Sequence, residues 1–214
     1  MYTADWRAIL TQESIDMWRE YARISLGVVT DLSSTALLVV DVQSGFDDPY
    51  WGRRNNPACE ENISTLVAKW RDEERPVVFV RHDSIVPGSP LRPGQSGNDF
   101  KSAISGEPDL LVTKHVNSAF YGEPDLHNWL QARNITGVAI AGITTNQCCE
   151  TTARMAGNLG YDTLFVLDAT HTFDLTSIDG DTIPADDVAR MTASNLHGGE
   201  FAEVVTTRDL ISRP

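Results

Sequence analysis

The chain has 214 residues, enough for one domain with a full core, and its 41% hydrophobic and 22% charged residues are those of an ordinary globular protein. Its 17 Lys and Arg against 30 Asp and Glu leave a formal net charge of −13, which works against binding phosphate backbones or anionic lipid surfaces. Apolar runs far shorter than the ~20 residues of a membrane span, no signal-peptide pattern and only three cysteines, two of them adjacent, point to a reduced, cytoplasmic protein without a disulfide framework.

Residues 1–34 differ from the rest. Trp6, Ile9, Leu10, Ile15, Trp18 and Tyr21 fall near helical spacing, which predicts an N-terminal helical arm packed on the domain or on a second subunit. From residue 35 to 214 short apolar runs alternate with helical segments. Strands are predicted from Ala36 to Asp41, Pro76 to Val80, Asp109 to Thr113, Gly137 to Ala141, Thr163 to Leu167 and Ala202 to Val205. Helices are predicted from Glu60 to Glu74, Asp125 to Arg133, Gln147 to Leu159 and Pro184 to Leu196. Strands this apolar, separated by helices, imply an α/β fold with a parallel sheet covered on both faces. Two long irregular stretches, Gln43 to Cys59 and His82 to Ser105, follow strand ends, where open α/β sheets hold their ligands.

The sheet carries no G-x-G-x-x-G, no phosphate-binding G-x-x-x-x-G-K, no G-x-S-x-G elbow and no C-x-x-C. Chemistry therefore falls to side chains at the strand ends. Asp41 closes a strand of four aliphatics, Lys114 closes Leu-Leu-Val-Thr, and Cys148 lies at the start of the helix after Gly137 to Asn146. A parallel sheet brings all three to one edge. There a helix N-terminus and an ammonium favour a thiolate, a desolvated carboxylate moves its proton, and backbone N–H groups hold an oxyanion. Each residue taken singly also fits a turn acceptor, a solvated charge or a buried small side chain.

The runs Asp41-Val-Gln with Phe46, Val-Thr-Lys114 with Ser118-Ala-Phe120, and Ala-Gly-Ile-Thr-Thr-Asn-Gln-Cys148-Cys-Glu-Thr-Thr-Ala-Arg154 resemble the isochorismatase-like cysteine hydrolases. The resemblance runs from about Ala36 to Val205. It implies a three-layer α/β/α sandwich on a six-stranded parallel sheet, and a cofactor-free, metal-independent hydrolase that self-associates as a homodimer or homotetramer and takes a small-molecule substrate. It also implies Cys148 as nucleophile, Asp41 as general base and acid, Lys114 as their partner, a cis peptide at Ile143–Thr144, and the Thr144 and Cys148 amides as oxyanion hole. Cys149 then reads as a packing residue.

Nicotinamidases of this family bind a metal through a D-W-H motif. Here the matching stretch is Arg81-His82-Asp83-Ser84, which does not supply the ligand count. Phe46, Trp51 and Phe120 would form an aromatic wall, although core or subunit packing explains each as well, and His171 would line the pocket, although a surface or hydrogen-bonded histidine fits the same position. The expected reaction is hydrolysis of an amide, ureido or lactam C–N bond through a thioester. Two alternatives stand beside it: vinyl-ether cleavage of a dianion with Asp41 as acid, for which Arg53, Arg54, Arg81, Arg92 and Lys101 in or beside the two loops are the candidate cations although long loops carry such charges routinely, and a catalytically idle scaffold or binding subunit.

Overall fold

The structure, a computed structural model, describes residues 31–214. The expected N-terminal arm lies outside the described residues except for 31–34, which lead by a turn into the first strand. In chain order the elements are β1 (Thr35–Val40), α1 (Cys59–Asp72), β2 (Val77–His82), β3 (Leu110–Lys114), α2 (Leu126–Gln131), β4 (Gly137–Ile143) and α3 (Glu150–Asn158). They continue with β5 (Asp162–His171), β6 (Leu175–Thr176), β7 (Thr182–Ile183), α4 (Ala185–Gly198), β8 (Glu203–Val205) and α5 (Thr207–Ile211).

Six strands form one sheet in the order β3-β2-β1-β4-β5-β8, every pair parallel. Alternation along the strands sorts the core into two layers. Leu37, Val39, Val77 and Phe79 meet Ile63, Leu66 and Trp70 of α1 and Leu210 of α5. Leu38, Val40, Val80 and Ile140, on the other face, meet Leu126 and Leu130 of α2, Ala153 of α3 and Leu196 of α4. Burying each large aliphatic stabilises the fold by about 1.5–3 kcal/mol, and the three-layer sandwich is how a sheet apolar on both faces achieves it.

The six predicted strands are all present; their ends and neighbours differ. β5 runs on past Leu167 to His171, pairing Ile143 with His171 after a register shift against β4. A two-stranded hairpin, β6 with β7, and the short helix α5 are too brief to leave a periodic signal. Cys148 sits in a π-helical turn, Thr145–Cys149, ahead of α3 rather than in the first turn of a long α-helix. Such single π turns concentrate at functional sites.

Candidate active site

Three strand ends and one turn supply the side chains. Val112 and Lys114 share a face of β3, and Val80 and His82 share the same face of β2, with His82 and Lys114 direct register partners. Strict alternation would put Asp41 on the opposite face, with Leu37 and Val39. Its φ of +51° breaks the alternation, and Val42 takes that side of the core. An aspartate tolerates this left-handed geometry better than a branched or bulky residue, and here it turns the carboxylate toward Lys114. Next door, Gly142 has φ +139°, and a Cβ there would lie 2.0 Å from the Val40 carbonyl oxygen, so only glycine lets β4 approach β1 at this level.

Lys114 Nζ donates to Asp41 Oδ2 at 2.6 Å and to Cys148 Sγ at 3.4 Å, and it lies 3.3 Å from His82 Nδ1. Asp41 is wholly buried and Lys114 is 1% exposed. Asp41 Oδ1 and Thr144 Oγ1 are buried with no hydrogen-bond partner. The Cys148 thiol also faces Asn117 Oδ1 at 3.8 Å. The Ile143–Thr144 peptide is cis, as the resemblance implies.

Burial raises the Cys148 thiol well above its ordinary value and the Asp41 charge adds to this, while Lys114 opposes both. The thiol therefore rests protonated, against the expectation of a thiol activated before any ligand arrives. Burial alone would lower Lys114, but Asp41 and the Cys148 sulfur outweigh it and hold the ammonium above its usual value. Burial and then the Lys114 charge push His82 down, so its ring is neutral.

Cys148 and Thr144 stand in the wall of a cavity of about 400 Å³ that is also lined by Phe46, Trp51, His82, Asn117, Gln147 and Leu91. Phe46 and Trp51 pack with centroids 5.0 Å apart, and Trp51 Nε1 donates to the Gly45 carbonyl at 2.8 Å, which fixes the indole. Two of the expected pocket residues stand elsewhere. Phe120 stacks on Tyr161 in the opposite core layer, at 5.8 Å, because the turn after Ser118 carries it away from the cavity. His171 is fully buried behind the wall, edge-on to Phe173, because β5 extends far enough to pair it with β4.

The cations proposed to hold a dianion do not line the cavity. Arg53 pairs with Asp174, Arg54 and Lys101 with Glu60, and Arg81 with Asp83, at 2.6 to 2.9 Å. Among the described residues the lining contains no Arg or Lys, Arg92 included, and its one carboxylate is Asp48.

Asp41, His82 and Cys148 bring oxygen, nitrogen and sulfur donors within 4.8 Å of one another, the spacing of a metal site. All three, however, converge on the Lys114 ammonium. A divalent ion bound by them would sit against that positive charge, so the set does not fit a metal.

Three features escaped the sequence reading. His82 is placed beside Lys114 by register, and its position two residues after Val80 at the same strand end was the available signal. Gln43 clamps the end of β2, donating to the His82 carbonyl at 3.1 Å and accepting from the His82 N–H at 2.8 Å. Asn98, in the second long loop, is buried and donates to the carbonyls of His82 and Leu91, tying that loop to the site.

Residues 35–208 match the isochorismatase domain family model. The chain is 39% identical over 178 residues to the isochorismatase family protein YrdC of Bacillus subtilis, covering 83% of this chain and 94% of that protein. It is 32% identical to nicotinamidase 3 of Arabidopsis thaliana over 64% of this chain and 73% of the relative, and 28% identical to the ureidoacrylate amidohydrolase RutB of Methylobacterium radiotolerans, with coverages of 67% and 69%. A crystal structure from Chromobacterium violaceum, ascribed to a hydrolase of the same family, superimposes with a TM-score of 0.78 at 37% identity, covering 83% of this chain and 92% of that one.

Proposed function

Since the chain belongs to the isochorismatase family of hydrolases, we propose that it is a cysteine-dependent amidohydrolase that cleaves a C–N bond of a small, uncharged or cationic amide, ureide or lactam. The observation that carries this reading is the contact of buried Lys114 with both Asp41 and Cys148, the last in the wall of a cavity whose lining, among the described residues, has no Arg or Lys. The names of two relatives, a nicotinamidase and an amidohydrolase, support an amide as the substrate.

In this scheme substrate enters the cavity, and Asp41 takes the Cys148 proton while Lys114 stabilises the sulfur's developing charge. Sulfur forms a bond to the carbonyl carbon, and the carbonyl π electrons move to oxygen, held by the Thr144 and Cys148 backbone N–H groups. The tetrahedral adduct collapses, the C–N bond breaks, and Asp41 gives its proton to the leaving amine. Asp41 then deprotonates a water, which attacks the thioester, and the C–S bond breaks as the thiol regains a proton through Asp41. A resting thiol suits this sequence, since the base that activates it lies beside the same ammonium.

Vinyl-ether cleavage of a dianion requires convergent cations, and those nearest in sequence are paired with acids elsewhere. The experiment is an ammonia- and amine-release screen over primary amides, ureides and lactams, with Cys148→Ala and Asp41→Asn as controls. Loss of turnover in both supports the scheme; a Cys148→Ala variant that still turns over substrate contradicts it.

A further inference from the structure

We propose that His82 is a positioning residue that fixes the Lys114 ammonium as its third hydrogen-bond acceptor and thereby presents its own Nε2–H to the substrate; this rests on the amidohydrolase reading of the site. An ammonium has three N–H groups and no lone pair. Lys114 has three acceptors around it: Asp41 Oδ2 at 2.6 Å, His82 Nδ1 at 3.3 Å and Cys148 Sγ at 3.4 Å. With all three filled, the ammonium cannot rotate away from the sulfur without giving up a charge-assisted bond.

The contact also fixes a tautomer. A neutral imidazole that accepts at Nδ1 carries its proton on Nε2. Burial and Lys114 hold the ring neutral, with His115 adding to them and Asp41 and Asp83 pulling the other way. Nε2 has no partner among the described residues, and His82 lines the cavity beside Cys148. The ring is held from behind, because Gln43 bonds both the N–H and the carbonyl of His82, and Asn98 bonds the carbonyl again. The site thus offers one neutral donor for an acceptor atom of the substrate, where a metal or a cation would otherwise stand.

Two measurements test this. In the wild-type protein, nitrogen-15 NMR of histidine side chains at pH 7 should show His82 as the Nε2–H tautomer, with its Nδ1 signal moving on Lys114→Met. Alkylation of Cys148 by iodoacetamide at pH 7, followed by peptide mapping, should slow about tenfold in His82→Ala, the loss expected for one bond to a charged group. His82→Asn places an amide oxygen near the position of Nδ1 and should recover most of that rate. A His82 proton on Nδ1, or Cys148 alkylated in His82→Ala at the wild-type rate, overturns the proposal. If wild-type Cys148 is alkylated no faster than Cys59, it is the amidohydrolase reading that fails, and the tautomer still decides the role of His82.

Discussion

Lys114 Nζ and Asp41 Oδ2 form an ion pair at 2.6 Å in which both side chains are sealed from solvent. Taking two charges out of water is repaid only while each has the other. Lys114→Met should therefore cost about 3–5 kcal/mol of stability by leaving Asp41 buried and unpaired. The double variant Lys114→Met/Asp41→Asn should lose less than the sum of the two single losses. Urea unfolding of the four proteins measures this coupling, and strict additivity would mean that the pair contributes nothing beyond its separate parts.

Asp41→Asn should separate thiol reactivity from turnover. The carboxylate is one of the groups that hold the Cys148 thiol up, so its neutralisation leaves the ammonium facing sulfur and lowers the pH at which the thiol reacts. Amide hydrolysis should nevertheless fall by about 10²–10⁴, because no base remains to pass the proton to the amine or to activate water. Labelling kinetics and product release on the same preparation check the two halves.

His171 makes the protein acid-sensitive. Burial first, and then the Arg54 charge, hold it down to about 3, and both ring nitrogens are without hydrogen-bond partners. The unfolded chain takes up this proton near pH 6.5, well before the folded one does. The stabilisation from keeping the ring neutral is thus complete above about pH 6.5 and is lost as the pH falls toward 3. At pH 5 the loss should reach about 2 kcal/mol relative to pH 8. His171→Leu should remove that slope while changing stability at pH 8 little. Glu60, held down to about 2 by Arg54 and Lys101 in spite of its burial, adds a second loss between about pH 4.5 and 2 that the variant should keep.

Gly142 and Gly160 both have positive φ, at +139° and +86°, but a Cβ at Gly142 would meet the Val40 carbonyl oxygen at 2.0 Å while one at Gly160 meets nothing within 4 Å. Gly160→Ala should cost about 1 kcal/mol, the backbone penalty alone. Gly142→Ala should cost more than about 3 kcal/mol and slow Cys148 labelling, since it displaces the strand end that carries Asp41. Equal effects of the two substitutions on stability would mean that the sheet yields at this point.

The apolar runs placed all six strands, and the strand ends placed Asp41, Lys114 and Cys148 at one edge, because burial on both faces writes a continuous signal into the chain. Side-chain direction was harder to read. Asp41 reaches Lys114 through a left-handed residue that no alternation pattern reveals. His82 meets Lys114 through a register between strands 32 residues apart. Phe120 and His171 each follow a strand end as a pocket residue would, yet a short turn removes one and an extended strand buries the other. The resting charge state of Cys148 depends on burial and on two neighbours at once, which spacing cannot weigh.

The most direct test is the pH dependence of iodoacetamide labelling at all three cysteines, in the wild-type protein and in Lys114→Met. Cys59 and Cys149 are fully buried, while Cys148 is 7% exposed and lines the cavity. We expect Cys148 to label fastest of the three at every pH, because it alone lines the cavity and Lys114 steadies the charge that develops on its sulfur, even though burial and Asp41 hold the thiol above its ordinary value. In Lys114→Met, that labelling should fall at least about tenfold at pH 7. Labelling of Cys148 no faster than that of Cys59, or a profile unmoved by loss of Lys114, would contradict its assignment as the nucleophile.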